Sequence, residues 1–443
     1  MTSLTIGLLL ILGLVVVVLL GMHIAVALLA TGFVGIWILR DNIDLAFRLL
    51  GMASYNGIAD YLFATIPLFV LMGILVSISN VGRDTFEVAE ALLRKLLGGL
   101  GVATVAANAV FAAVTGVSIA SAAVFTRVAV PEMGRHGYRL PFAAGIVAGS
   151  SVLGMLIPPS LLLIIYGVLA EVSIGAMFLA GIIPGLLLCF GFVALIMLLA
   201  RFRPSFVYTD VEAARTRQAE AHNDKTLTWG EILRKLVPIV ALVTLILGGL
   251  YSGFFTPTEA GGVGAFGALL IALMRRQLDR ARMWQVLYQT GLVSVAILVL
   301  LIAAGYYSRM LSIAGIPNAI AMLVQDSGLG PYGFLLIYVV IVLLMGMILD
   351  STSILLIMVP ISAPIAQSLG FDLIHFGIVT VIAVEIGLLT PPFGISVFTV
   401  HTALADPQTK VEQIFLGTLP FVLVMALSLL LIAAFPILST ALI

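Results

Sequence analysis

Uncharged apolar runs long enough to cross a bilayer follow one another along this chain, and they decide its solvent. A helix needs about 20 such residues to span the hydrocarbon core. Of 443 residues, 62% are hydrophobic and 9% charged, against roughly 25% charged in a soluble domain. That leaves too few polar groups to cover a water-facing surface, so lipid must surround most of the fold. Lys+Arg and Asp+Glu both number 21. Net charge therefore points to no nucleic-acid partner, and none is expected. Cys189 is the one cysteine, which excludes a disulfide framework or a thiolate metal cage.

The spacing predicts membrane helices near 4–21, 23–39, 61–79, 140–169, 174–200, 232–253, 257–274, 286–306, 373–403 and 413–440. No basic segment precedes the first, so it is expected as a retained span rather than a signal peptide. Two more apolar stretches, 96–130 and 331–368, are interrupted in the middle and are expected to be re-entrant hairpins. Segments 80–95 and 307–329 are more polar and are expected to lie along the membrane surface as amphipathic arms. Residues 201–231 form a connector, with nine charged residues from Arg201 to Trp229.

Lys and Arg orient this plan. With the N-terminus outside and both hairpins returning to their own side, 18 basic residues fall in the cytoplasm. Only Arg40, Arg48 and Arg309 fall outside, as the positive-inside rule requires. Full crossings in place of the hairpins would move the charges between 127 and 282 outside. Both termini are then periplasmic and the connector is cytoplasmic.

The two halves carry the same punctuation. Gly137, Gly154, Pro158 and Pro159 recur as Gly370, Gly387, Pro391 and Pro392. Gly137 to Pro158 and Gly370 to Pro391 are both 21 residues; Pro131 to Pro158 and Pro364 to Pro391 are both 27. Ser118 and Ser351, at the polar centres of the interrupted stretches, each stand 40 residues before the first proline. The repeats are 1–200 and 232–443, with broken helices at 140–169 and 373–403. Each contains five crossings and a hairpin, so the second enters the bilayer inverted. The expected fold is an all-α polytopic membrane protein of inverted repeats, the construction of secondary transporters, with a site between the breaks.

Adjacent prolines remove two backbone donors and force the helix to unwind. Hydrocarbon cannot satisfy the freed carbonyls, so such backbone must line a cavity. A single proline pair would suit a simple kink, but the pair is duplicated at one spacing opposite polar hairpin tips. Carbonyls with Ser and Thr hydroxyls make a hard oxygen site suited to Na⁺, and half-helix N-termini favour an anion. Candidate Na⁺ ligands are Thr115, Gly116, Ser118, Gly154 and Pro158 in the first half. In the second they are Gly346, Asp350, Thr352, Gly387 and Thr390. Candidate anion contacts are Ser118, Ser121, Ser160, Ser351, Ser353 and Gly394.

Asp350 stands between uncharged runs of 23 and 21 residues, which makes it a candidate Na⁺ ligand or charge partner. The alternative for it is a helix-terminal cap. Glu259 is expected to cap a helix N-terminus. Glu385 is either a site residue or one end of a structural hydrogen bond. Gly262, Gly264 and Gly267 follow no strand and suit close helix packing rather than a nucleotide. No P-loop is present, and the five histidines show no ligand spacing. No cofactor is expected beyond Na⁺ as coupling ion.

These residues resemble the large membrane subunit of TRAP (tripartite ATP-independent periplasmic) transporters. The likeness lies in Gly116, Pro131 through Tyr138, Gly154 through Ser160, Ile165 through Gly167, Ser173 through Ala176 and Ala180 through Gly185. It continues in Thr256 through Ala260, His375 through Gly377 and Glu385 through Pro392, and covers nearly the whole chain. Two positions depart from the family pattern. Val117 stands where a Ser is frequent, and Ala383 where an Asn is common, so side-chain ligands are not carried over there. The resemblance implies an elevator-type, non-enzymatic carrier in the bacterial inner membrane, coupled to two or more Na⁺. It also implies a small four-helix membrane subunit and a periplasmic binding protein delivering a small organic anion.

A stand-alone dicarboxylate or drug carrier is the competing reading. An intramembrane enzyme would need a polar catalytic pair in facing spans, and a channel would not need duplicated broken helices. The orientation has a direct check. Cysteines placed at Ser3 and Gln218 should label from opposite sides of the membrane; same-side labelling would remove both the topology and the inverted repeat.

Overall fold

The computed structural model describes residues 2–212, 227–406 and 409–443. Residues 213–226 of the connector lie outside that range. The described residues are helical throughout and form no strand, with one isolated bridge between Tyr138 and Tyr208. Among the described residues, seven helices are long and apolar enough to cross a membrane, or eight if one bent pair counts as a single span. Their outer faces are apolar: only 22% of the apolar window in Trp229–Tyr251 is buried, and 28% of that in Ile174–Phe202. Phe190, Leu245, Phe266, Leu292 and Leu427 point outward. A surface of this kind suits lipid and not water, so the protein is a multi-pass membrane protein.

Local sequence sets many helix starts. Thr228 with Glu231, and Thr256 with Glu259, form capping boxes that occupy otherwise unpaired first-turn donors. Glu259 therefore acts as a cap. Asn42 and Asp279 cap in the simpler way, through Leu45 N at 2.9 Å and Arg282 N at 2.7 Å.

Two regions differ from expectation. Helix Arg280–Ala314 runs 35 residues and passes through the first part of the 307–329 segment. Gly315, at φ 73°, ends it, and only Ile316–Asp326 remains as a separate short helix. The long helix continues because Tyr306, Tyr307, Met310 and Leu311 are buried along it. Tyr306 also donates to the Ala46 carbonyl at 2.9 Å. Ala46 belongs to helix Ile43–Ala59, which hydropathy did not reveal because Asp44, Arg48 and Asn56 interrupt its apolar run.

The helices sort into a frame and an inner body. In the frame, Thr65–Ile78 packs along Pro257–Met274, and Ile24–Arg40 along Arg280–Ala314. The first hairpin has arms Gly99–Thr115 and Ser118–Arg135; the second has Gly330–Gly346 and Ser351–Ser368. Together with the two broken helices, and with the continuous helices Ile174–Phe202 and Val411–Ala434, they make the inner body. There the halves exchange partners. Val411–Ala434 packs on Leu140–Ser151, and Ile174–Phe202 on Leu373–Leu388. A Cβ on Gly145 would overlap the Gly417 backbone, and one on Gly417 the Pro141 carbonyl, so small residues allow this crossing. Neither half has a complete packing surface alone.

Helix Val81–Leu93 ties the inner body to the frame. Its Asp84 and Glu87 face Lys235, on helix Trp229–Tyr251, and Arg275, the C-cap of Pro257–Met274. Arg275 also donates to the Ser79 carbonyl at 3.2 Å. Burial opposes the Glu87 charge, but hydrogen bonds from Lys235 and Arg83 outweigh it and hold the carboxyl below its usual range.

Candidate functional site

Both proline pairs interrupt their helices. In the first half, Leu153–Leu156 ends, Ile157 is extended, and the helix restarts at Leu161 with Ser160 as its N-cap. The axis bends by 44° there. In the second, Leu373–Leu388 stops and Ile395–Leu404 begins after Gly394, at φ 49°. Both Pro-Pro bonds are cis. The missing N–H groups deprive the carbonyls of Gly154, Met155, Gly387 and Leu388 of their helical donors. Local groups replace some of these. The Ser160 hydroxyl donates to the Met155 carbonyl, and Thr390 N to the Gly387 carbonyl at 3.0 Å. The Thr390 hydroxyl donates to the Ile386 carbonyl at 2.7 Å.

Each hairpin tip lies against the break of its own half. At the first tip, Gly116 turns the chain at φ 62° and its carbonyl accepts from Leu161 N at 3.2 Å. A Cβ on Gly116 would stand 2.9 Å from the Pro159 carbonyl oxygen, so both conformation and space require glycine. Gly154 faces the Val117 backbone, and the Thr115 carbonyl packs on Gly73 of the frame. Thr115, Gly116, Pro159, Ser160 and Met72 bound a void of about 10 Å³, room for roughly one water-sized guest. The Ser118 hydroxyl is fully buried and has no hydrogen-bond partner among the described residues.

The second tip closes backbone to backbone: a Cβ on Gly346 would lie 2.7 Å from the Gly387 Cα. Asp350 is the N-cap of Ser351–Ser368; its carboxylate accepts from Ser353 N at 3.2 Å and from the Ser353 hydroxyl. The Ser351 hydroxyl donates to Glu385 Oε1 at 3.2 Å. Thr352 is half-buried beside them. Gly394 adjoins the Thr390 carbonyl, 3.3 Å from the position a Cβ would take. Pro391, Pro392 and Phe393 are exposed, whereas Pro158, Pro159 and Ser160 are buried.

The structure thus gathers Thr115, Gly116, Ser118, Gly154, Pro158 and Ser160 at one tip. It gathers Gly346, Asp350, Ser351, Thr352 and Ser353 with Gly387, Thr390 and Gly394 at the other. Ser121 is engaged differently. Its hydroxyl donates to Asn108 Oδ1, and Asn108 Nδ2 donates to Ser150 Oγ at 2.8 Å, which joins both hairpin arms to the broken helix. Asn108, Ser150 and the Ser351–Glu385 contact were missed from sequence. A lone Asn inside the apolar run Gly99–Thr115 was the available signal.

Helix polarity gives both tips the same chemistry. Gly99–Thr115, Leu153–Leu156, Gly330–Gly346 and Leu373–Leu388 end there and present carbonyls. Ser118–Arg135, Leu161–Leu169, Ser351–Ser368 and Ile395–Leu404 begin there and present N–H groups. The starting helices also pair across the halves: Leu161–Leu169 packs on Ser351–Ser368, and Ile395–Leu404 on Ser118–Arg135. Oxygen ligands for a cation and donors for an anion therefore occur side by side.

Residues 11–438 match the family model described as the tripartite ATP-independent periplasmic transporter, DctM component. The chain is 34% identical to the C4-dicarboxylate TRAP transporter large permease protein of Pseudomonas aeruginosa, over 89% of each chain. It is 31% identical to the 2,3-diketo-L-gulonate TRAP transporter large permease protein of Escherichia coli, over 91% of each. In fold it resembles the crystal structure of the Alcanivorax borkumensis YdaH transporter, with TM-score 0.60 and 14% identity over 89% of each chain.

The buried network and the lone hydroxyl differ in what their removal costs. Asn108→Ala strands the Ser121 hydroxyl and should destabilise the detergent-solubilised protein by roughly 1–2 kcal/mol. Ser118→Ala breaks no protein hydrogen bond and should leave stability within about 0.5 kcal/mol. Thermal melting of both variants checks this; equal losses would contradict the assigned partners.

Proposed function

Because the chain belongs to the DctM family of large membrane components of TRAP transporters, we propose that it imports a small organic anion by sodium-coupled secondary transport. The observation that carries this reading is the pairing of helix C-termini with helix N-termini at both tips. Carbonyls with the Ser118 and Thr390 hydroxyls suit Na⁺. The N-termini at Ser118, Leu161, Ser351 and Ile395 suit a carboxylate. Two of the relatives are named for carboxylate substrates, a C4-dicarboxylate and 2,3-diketo-L-gulonate, and the substrate class proposed here is a carboxylate or sugar acid.

In this reading Thr115, Gly116, Ser118, Gly154 and Pro158 hold one Na⁺ at the first tip. Gly346, Asp350, Thr352, Gly387 and Thr390 surround a second at the other. Ser118, Ser160, Ser351, Ser353 and Gly394 contact the anion between them. Ser121 holds the first tip through Asn108. The inner body moves against the frame as an elevator, with the arm Val81–Leu93 as one connection. A periplasmic binding protein delivers the substrate, and a small four-helix membrane subunit braces the frame. The protein lies in the bacterial inner membrane with both termini periplasmic. The two relatives compared above are named as permeases, and in this reading the chain acts as a transporter rather than an enzyme.

Proteoliposomes holding this chain and its small subunit, with candidate binding proteins added one at a time, test the coupling. Uptake should require an inward sodium gradient and proceed without ATP. Undiminished uptake from sodium-free medium under an imposed proton gradient would show that the coupling ion is another one.

A further inference from the structure

Sequence spacing made Asp350 the obvious carboxylate for a cation site, but the structure gives its oxygens to Ser353. Glu385 is in the opposite condition. It is 2% exposed, and Oε1 accepts only a neutral hydroxyl, from Ser351. Oε2 is buried with no hydrogen-bond partner among the described residues. A carboxyl removed from water must either carry a proton or meet a compensating charge, and Glu385 forms none of the ion pairs found among the described side chains. It stands two residues before Gly387, whose backbone touches Gly346 of the hairpin. The Leu388 carbonyl, left without its helical donor by Pro392, follows three residues after Glu385. The repeat sharpens the point. At the positions equivalent to Glu385 and Asp350, 233 residues earlier like Pro158 from Pro391, the first half has Val152 and Val117. The hydroxyl equivalent to Ser351 is that of Ser118, which no carboxylate engages.

We propose that Glu385 supplies the fixed negative charge of a Na⁺ site beneath the second hairpin tip, with Ser351 orienting its carboxylate. The first tip holds its ion with neutral oxygens alone. The two sodium sites therefore differ in charge, and the second binds more tightly. This rests on the sodium-coupled reading above.

Sodium-22 binding to the purified chain, in proteoliposomes with choline as the replacement cation, tests it. Glu385→Gln preserves shape and an acceptor for Ser351, and should weaken the tighter site at least tenfold. Asp350→Asn, still able to cap, should cost less, and Glu259→Gln should leave the titration unchanged. An unaltered titration in Glu385→Gln overturns the proposal, as does an equal or larger loss in Asp350→Asn. If Glu385→Gln does not fold, infrared difference spectra of the wild-type protein decide. A carboxylate band that shifts on replacing choline with sodium supports the site; a protonated carboxyl band that persists in sodium overturns it. Failure of the underlying reading looks different, because the wild-type protein would then show no sodium binding at all.

Discussion

Backbone polar groups that lipid cannot satisfy govern this structure. A helix may break inside a membrane only where its freed carbonyls and N–H groups meet other protein. Here four helix interruptions solve the problem in pairs. The carbonyl of Gly116 at the first tip takes the N–H of Leu161 at the first break. Gly346 at the second tip lies on Gly387 at the second break. The halves then exchange packing, with Gly145 against Gly417 bringing a helix of one repeat onto the broken helix of the other. Of the buried side-chain groups left without a partner among the described residues, the Ser118 hydroxyl lies at the first tip and Glu385 Oε2 beside the second.

The repeat makes the two points equivalent in backbone and the side chains make them differ. The first is closed and neutral: Pro158, Pro159 and Ser160 are buried, and the Ser118 hydroxyl has no partner among the described residues. The second is more open, with Pro391, Pro392 and Phe393 exposed, and it alone carries carboxylates. One of these is a cap on a half-exposed helix start; the other is buried. Two sites of unlike charge facing one anion would give an ordered cycle, in which the charged site fills first and the neutral site fills with substrate. Linkage between ion and anion then follows from their shared helix ends.

Much of this was legible along the chain. Duplicated proline pairs mark breaks, and Thr256 with Glu259 marks a capped helix start. These are local rules, acting within a few residues. Helix Ile43–Ala59 was not legible, since its polar residues hide it from hydropathy and tertiary packing under Tyr306 holds it. The long helix Arg280–Ala314 was shortened in the same way, because burial rather than apolar composition carries it past residue 306. Asp350 and Glu385 show the sharpest limit. Spacing placed both near the second break, but which carboxylate accepts from a hydroxyl and a backbone N–H depends on side-chain direction. Sequence separation does not reveal that.

The central claim is that each tip is a separate cation site. Counting bound sodium per chain by equilibrium dialysis tests it most directly, on the wild-type protein and on Ser118→Ala. Two ions should bind to the wild-type chain and one to Ser118→Ala, the tighter site remaining. A single ion on the wild-type chain, or loss of both in Ser118→Ala, would contradict the account.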